Sequence, residues 1–229
     1  MASEIIDFRS ERQRHEKLLG RKELLEELDR HLAARSFARG WVLLKGSPGM
    51  GKSALLSHYL TRLEELKQPV AYHFIRRGLD DWDRPEVVCR NLAAQVEARF
   101  PAQAQPGARP ETRLRQVLHH VSEEELVPTG TRLFLVVDGL DEAAMNGSGH
   151  NPLQRFLPHD LPLGVHVLCA SRPEYPHLEW LEAREGLHRI DLDAGRWKSS
   201  NDEVVRHYWA HVASSFQPSL DPSFLVVVR

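Results

Sequence analysis

The chain has 229 residues, of which 41% are hydrophobic and 27% are charged, and its formal net charge is −2 with an isoelectric point of about 6.7. This composition is typical of a globular protein with one sizeable domain. The net charge excludes an overall positive potential that would attract nucleic acid. The apolar runs are only as long as strands, and the first residues do not show the basic-then-apolar pattern of a signal peptide, so neither a membrane span nor export is expected. Cys89 and Cys169 are expected to be buried thiols, which favours a cytoplasmic location.

The stretch before the first predicted strand divides into a charged arm and an amphipathic helix. Residues from about 4 to 18 mix basic and acidic side chains with weak periodicity, a pattern typical of a solvated linker. Four leucines then recur at helical spacing and predict a helix over roughly residues 21–35. The first strand is predicted to begin at Trp41.

The next stretch, Gly46 to Ser53, has the spacing of a phosphate-binding loop. It reads G-S-P-G-M-G-K-S, follows the apolar run 41–44 and precedes an amphipathic helix. Its glycines let backbone N–H groups converge on one anion, and the helix adds its positive dipole end at the same point. We predict that Lys52 reaches the β- and γ-phosphates and that the Ser53 hydroxyl binds Mg²⁺. The pattern therefore predicts binding of a nucleoside triphosphate.

Further apolar runs alternate with helical patterns along the rest of the chain. The runs that predict strands are 70–75, 133–137, 165–170 and 187–192. Such alternation is typical of a parallel sheet with helices on both faces, in which ligands bind at the carboxyl ends of the strands. A last helix is predicted around residues 201–212, and we expect the apolar ending to continue into a longer protein.

Two later strand ends carry polar residues that should meet the loop at that edge. Asp138 follows a buried strand and is predicted to bind Mg²⁺ through water beside Ser53. Asp141 or Glu142 could position or deprotonate the attacking water, and Arg172 could hydrogen-bond the γ-phosphate. The predicted catalytic residues are Lys52, Asp138, Asp141, Glu142 and Arg172, and the predicted metal-binding residues are Ser53 and Asp138.

Three segments resemble those of a known family. Residues 133–143, LFLVVDGLDEA, are similar to the extended Walker B motif of NACHT-type STAND NTPases, which are signalling ATPases related to NB-ARC and AAA+ proteins. Residues 168–173 resemble the family's sensor 1 strand with its arginine, and residues 19–24 resemble the segment that lies against adenine. With the loop, the predicted nucleotide-binding residues are Gly20, Arg21, Gly46, Ser47, Pro48, Gly49, Met50, Gly51, Lys52, Ser53 and Ala54.

The resemblance covers roughly residues 18–215 and carries expectations about fold and function. It implies a three-layer α/β P-loop NTPase with a mainly parallel five-stranded sheet in the order 5-1-4-3-2. It also implies ATP or ADP with Mg²⁺, slow hydrolysis, homo-oligomerisation when ATP is bound, and effector and sensor domains outside this chain. No membrane or nucleic-acid partner is expected. The expected division is an arm over 1–17, the NTPase core over 18–195 and the start of a helical segment over 196–229.

Other functions remain open. An AAA+ ATPase of the origin-recognition type, associated with DNA, usually carries its catalytic glutamate directly after the first aspartate, where this chain has Gly139. A nucleotide-gated interaction scaffold with negligible turnover would share the binding residues and differ only in its kinetics. The sequence contains no Asn-Lys-x-Asp segment for guanine and no ABC signature. A small-molecule kinase shares the loop but does not need the displaced acidic pair.

Overall fold

A five-stranded parallel sheet forms the centre of the computed structural model, which describes residues 5–15, 21–33, 38–100, 105–145, 150–195, 197 and 205–206. The strands are β1 (Gly40–Lys45), β2 (Val70–Phe74), β3 (Leu133–Asp138), β4 (Val165–Ser171) and β5 (Leu187–Asp191). All four pairings are parallel, and the order is β2-β3-β4-β1-β5. Counted from the other edge this is 5-1-4-3-2, so the predicted sheet is confirmed.

Both faces of the sheet are buried, which explains why its strands are continuous apolar runs. Every residue of β3 and β4 is buried. Because successive side chains of a strand point to opposite faces, Leu43 and Val167 pack into one hydrophobic cluster. Val42 and Leu168, one position along in each strand, pack into a second cluster. The two clusters separate the sheet from the helices on either side and give the expected three layers.

Helices supply the outer layers. Those bearing Leu28 and Leu55 cover one face, and those bearing Leu92 and Val117 cover the other. The helix predicted over 21–35 is found, and of the helix predicted around 201–212 only residues 205–206 are described. The helices are α1 (Arg9–Arg14), α2 (Lys22–Ala33), α3 (Lys52–Glu65), α4 (Pro85–Arg99), α5 (Pro110–Val121), α6 (Val127–Thr129), α7 (Leu153–Phe156) and α8 (Glu179–Glu182), with a π-turn at Ser122–Leu126 and 3-10 turns at Leu140–Glu142 and Pro176–Leu178.

The N-terminal arm is folded onto the domain, so the prediction of a solvated linker is wrong over residues 5–15. Phe8 is completely buried, and Glu11 in α1 is only 2% exposed. The arm packs beside β2, the edge strand of the sheet. A sheet edge with unpaired backbone groups is commonly covered by another segment. The sequence pattern did not predict this packing, because the arm is anchored by a single aromatic side chain and not by a periodic apolar face.

The two cysteines are free and buried, as predicted. Burial raises the pKa of both the Cys89 and the Cys169 thiol, so both are expected to remain protonated. Within the part of the chain that the structure describes, no helix has both the length and the apolar character needed to cross a bilayer.

Candidate nucleotide-binding site

The residues predicted from separate motifs lie on one rim of the sheet. The strands β3, β4 and β1 are neighbours, and all point their carboxyl ends the same way. Lys45, at the end of β1, is paired with Ser171 at the end of β4. The phosphate-binding loop therefore starts beside Arg172, and Asp138 ends the next strand along. This convergence follows from the order of the strands, so it supports the site independently of the spacing of the phosphate-binding loop.

The phosphate-binding loop has the backbone that its glycines allow. Gly51 has a φ of 78°, in the left-handed region that disfavours other residues, and α3 begins directly after it at Lys52. The first backbone N–H groups of α3 have no partner within the helix, and they carry the positive end of its dipole. The loop therefore presents N–H donors and a partial positive charge at the rim, which suits a phosphate.

The ammonium group of Lys52 lies over the start of the loop. Its Nζ donates to the carbonyl oxygens of Gly46 at 2.5 Å and Ser47 at 3.0 Å. Burial lowers the pKa of Lys52, while the nearby carboxylates of Asp141 and Asp138 act in the opposite direction. Lys52 is thus close enough to both predicted carboxylates for their charges to act on it.

Arg21 is one of the predicted adenine-side residues, and it braces the loop. It is buried and has a φ of 65°, and its Nη2 donates to the carbonyl oxygen of Met50 at 2.6 Å. Burial lowers its pKa. Its neighbour Gly20 lies outside the described residues. The role of Arg21 at the adenine stays a prediction, whereas its contact with the loop is direct.

Asp138 is the most enclosed of the predicted carboxylates, at 2% exposure. Its Oδ2 accepts a hydrogen bond from Nη2 of Arg76 at 2.9 Å. The next residue, Gly139, has a φ of 77°, and a Cβ there would lie 2.8 Å from the carbonyl oxygen of Ile75, which directly follows the neighbouring strand β2. No larger residue fits at position 139 without moving that backbone, which explains the small residue after the aspartate.

Arg76, which follows β2, joins three carboxylates at the rim. Besides Asp138, it donates from Nε to Oε2 of Glu11 at 3.1 Å and places Nη1 3.6 Å from Oε1 of Glu142. Burial alone would lower the pKa of Arg76, but these carboxylates together raise it. Arg76 was not predicted as a site residue, although the rule that strand ends carry functional residues applies to β2 as well. Glu11 carried no recognisable signal.

Asp141 and Arg172 form an ion pair across the rim. The carboxylate of Asp141 accepts from the backbone N–H of Arg172 at 3.1 Å, and it lies 3.0 Å from Nε of the same residue. Glu142 accepts from the backbone N–H of Arg77 at 3.1 Å. Burial raises the pKa of nearby Tyr175 to about 12, and the charge of Asp141 adds to the effect. Arg172, which was expected to hydrogen-bond the γ-phosphate, is therefore paired with a carboxylate.

Asp193, a further residue that the sequence analysis missed, ties the turn after β5 to the loop. Its Oδ2 accepts from both the backbone N–H of Ser47 at 2.7 Å and the Ser47 hydroxyl at 3.0 Å. The same turn is held to β1 through the Leu192 N–H and the Lys45 carbonyl, 2.8 Å apart. No strand-end or spacing rule singles out Asp193.

The donor set fits Mg²⁺ of a nucleotide complex. Arg76 occupies Oδ2 of Asp138, and no described residue donates a hydrogen bond to Oδ1 or to the Ser53 hydroxyl. Among the described residues, no group of three or more His, Cys, Asp or Glu is placed to hold a metal. Mg²⁺ in nucleotide sites commonly uses one or two protein oxygens, with phosphates and water completing its shell. The Asp138 carboxylate and the Ser53 hydroxyl would supply two such protein oxygens.

Comparison with known proteins shows the family of the chain. A family model described as "Nephrocystin 3, N-terminal" matches residues 22–172, which contain the loop, Asp138 and Arg172. Nephrocystin-3 of Xenopus tropicalis is 23% identical over 168 residues, covering 68% of this chain and 12% of that protein. Nephrocystin-3 of Xenopus laevis is 22% identical over 167 residues, covering 67% and 12%. The chain thus spans about an eighth of the length of the curated relatives it matches.

Several solved structures overlap with the chain in part. Cdc6p from Pyrobaculum aerophilum matches with a TM-score of 0.43 and 16% identity, covering 81% of this chain and 49% of that one. The Hsp104–ADP complex of S. cerevisiae matches with a TM-score of 0.46 and 20% identity, covering 88% and 26%. At these TM-scores neither likeness bears on the function of this chain. The sheet order and the loop are those of a P-loop NTPase-like domain.

Proposed function

This chain belongs to the family of nephrocystin 3 N-terminal domains, and from that premise we propose that it binds Mg-ATP at the sheet rim and hydrolyses it slowly. The observation that carries the proposal is the convergence of Lys52, Asp138 and Arg172, which follow or end three neighbouring strands. The charges of Asp138 and Arg172 both act on Lys52. A triphosphate laid over the start of α3 would meet all three.

Each side chain has a task that its position supports. Lys52 would exchange the Gly46 and Ser47 carbonyls for the β- and γ-phosphates, a short movement since the amine already lies over the loop. The Ser53 hydroxyl and Oδ1 of Asp138 would hold the metal and its water. Bound Mg²⁺ would neutralise charge that develops on the phosphates during transfer.

Glu142 is our candidate for positioning the attacking water. Its carboxylate is held at the rim by the Arg77 N–H and by the charge of Arg76. Asp141 is committed to Arg172, so it is less available as a base. Arg172 could exchange Asp141 for the γ-phosphate and return after hydrolysis, which would let that ion pair report which nucleotide is bound.

We place this activity in a larger switch of the STAND type. In this proposal the core over 18–195 carries the nucleotide site, and the segments 1–17 and 196–229 connect it to flanking effector and sensor domains. ATP binding would favour a homo-oligomer and ADP would favour the monomer. The basis is the resemblance of the motifs at 133–143 and 168–173, together with the family to which the chain belongs.

A nucleotide-gated scaffold with negligible turnover is the second candidate. One observation favours it: both candidate bases, Asp141 and Glu142, are already engaged by protein donors. An AAA+ ATPase associated with DNA is disfavoured, because the position after Asp138 cannot accept the glutamate that those enzymes usually carry there.

The test measures binding and turnover of ATP and GTP by the purified chain with Mg²⁺. We expect selective ATP binding and slow phosphate release, both lost in Lys52→Ala and both kept in Lys67→Ala, an exposed control just beyond α3. Glu142→Gln should keep binding and lose turnover. Preference for GTP, or transfer of phosphate to a small molecule rather than water, would refute the proposal. Lys52-dependent binding without any hydrolysis would favour the scaffold.

A further inference from the structure

The N-terminal arm is anchored on the outer side of the sheet by one aromatic side chain. Phe8 is completely buried. Its ring lies within 6 Å of four other rings, and the closest centroid is 4.8 Å away. The surrounding aromatic residues are Tyr72, His73, Phe74 and Trp82. Aromatic contacts of this kind stabilise a packed structure by more than their buried area alone accounts for. They therefore hold the arm in a defined position on β2 and on the segment after it.

Polar contacts on both sides fix how the arm lies. Arg12 donates to both carboxylate oxygens of Glu64 in α3, at 2.8 and 2.6 Å, and to the Thr61 hydroxyl at 3.0 Å. The backbone N–H of Ile6 donates to Oδ1 of Asn91 in α4 at 2.9 Å. The arm therefore bridges two helices that cover opposite faces of the sheet, and its position along β2 is set.

This position brings Glu11 to the predicted metal carboxylate. A carboxylate that is 97% or more buried is costly to leave unpaired, and Glu11 has two cationic partners. Arg14, at 2.8 Å, belongs to the arm itself. Arg76, at 3.1 Å, also holds Asp138 at 2.9 Å and lies 3.6 Å from Glu142. Arg76 is thus shared between the arm and the two acidic residues of the candidate site.

We propose that Glu11 is a positioning residue for the metal-dependent nucleotide site, acting on Asp138 through Arg76, so that docking of the arm sets the affinity for Mg-nucleotide. This inference rests on the proposed function and assigns it a regulatory input. While Glu11 holds Nε, the guanidinium meets Asp138 through Nη2 alone and leaves Oδ1 for the metal. Without Glu11, the same cation is drawn onto Asp138 and Glu142, where it opposes a divalent ion. An upstream domain that pulls the arm away would thereby weaken Mg-nucleotide binding.

The experiment compares Glu11→Gln with Asp7→Asn in the full chain. Both variants remove one carboxylate from the arm, but Asp7 is exposed and, among the residues that the structure describes, it pairs only with the exposed Arg9. Binding of a fluorescent ATP analogue is titrated with Mg²⁺, and binding without Mg²⁺ and the melting temperature are measured alongside. We expect Glu11→Gln to raise the half-saturating Mg²⁺ concentration by about tenfold, the lower end of what losing an outer partner of a metal ligand costs. Asp7→Asn should match the wild type.

A second variant separates positioning from simple charge loss. Phe8→Ala removes the anchor while leaving every charge in place, and it should give the same Mg²⁺ shift as Glu11→Gln with metal-free binding retained. Equal Mg²⁺ midpoints for wild type, Glu11→Gln and Asp7→Asn would overturn the inference and leave the proposed function standing. Loss of metal-free binding in Glu11→Gln would also overturn it, since the residue would then be structural. Absence of nucleotide binding by the wild type would overturn both.

Discussion

Replacing Gly139 by alanine tests how closely β2 and β3 approach at the rim. Two costs combine in this variant. Gly139 has a φ of 77°, a conformation that costs an L-residue about 1–2 kcal/mol. The new Cβ would also lie 2.8 Å from the carbonyl oxygen of Ile75 and 3.1 Å from Nη1 of Arg76, so backbone has to move, and such overpacking costs about 1–3 kcal/mol. We expect a total destabilisation of about 2–5 kcal/mol.

Gly78 supplies the matched control for this measurement. It has a φ of 79° and follows β2, but a Cβ there would meet nothing within 4 Å. Gly78→Ala should therefore show only the conformational cost of about 1–2 kcal/mol. In equilibrium urea denaturation, with a slope of about 2 kcal/mol per molar, Gly139→Ala should unfold about 0.5–1.5 M earlier than Gly78→Ala.

The comparison has a clear refuting result. Equal urea midpoints for the two variants would mean that the Ile75 carbonyl does not crowd position 139. The explanation for the missing glutamate after Asp138 would then fail. Nucleotide binding adds a second readout, because the displaced Ile75 and Arg76 border Asp138: Gly139→Ala should weaken Mg-dependent ATP binding, whereas Gly78→Ala should not.

Two further predictions concern charge. Asp193 accepts hydrogen bonds from the loop, and its negative charge acts on Lys52. Asp193→Asn should therefore bind ATP about three- to tenfold more tightly in a fluorescence titration, and the exposed control Asp160→Asn should bind it like the wild type. Weaker binding by Asp193→Asn would mean that Asp193 instead stabilises the loop in its binding conformation. Burial lowers the pKa of His73 to about 4, below its unfolded value of about 6.5, so the unfolded chain gains the proton first as pH falls. The contribution of His73 to stability should therefore fall between pH 6.5 and 4, by on the order of 2 kcal/mol at pH 5. In urea unfolding, His73→Gln should make the pH dependence less steep, whereas the exposed control His58→Gln should not.

The fold could be predicted in detail because its signals are local and strong. Strands buried on both faces need continuous apolar residues, and the five runs mark their bounds to within one residue. The alternation with helices then leaves few topologies, and the resemblance at 133–143 selects the order. The rim that joins the loop to Asp138 and Arg172 follows from parallel strands alone.

What could not be predicted depends on contacts between segments far apart in the chain. Glu11 and Arg76 are separated by 65 positions, and Ser47 and Asp193 by 146. Neither pair lies on a periodic face or in a spaced motif, so pattern reasoning has nothing to detect. The arm was predicted to be a solvated linker for the same reason. Its packing depends on one buried aromatic ring, and the residues that surround this ring lie far along the chain, so the charged composition of the arm does not reveal it.

The placement of Gly139 connects the geometry of the sheet to the chemistry that we propose. Because β2 approaches β3 so closely after Asp138, the chain has room there only for a hydrogen atom. A general base therefore has to come from further along, and the 3-10 turn Leu140–Glu142 turns the chain back within reach. The Glu142 N–H closes that turn on the Gly139 carbonyl at 2.8 Å, and its carboxylate meets Arg76 and the Arg77 N–H. The displaced acidic pair is thus a consequence of the β2–β3 packing. The same packing places Arg76 at the candidate site, and Arg76 in turn connects the arm to that site.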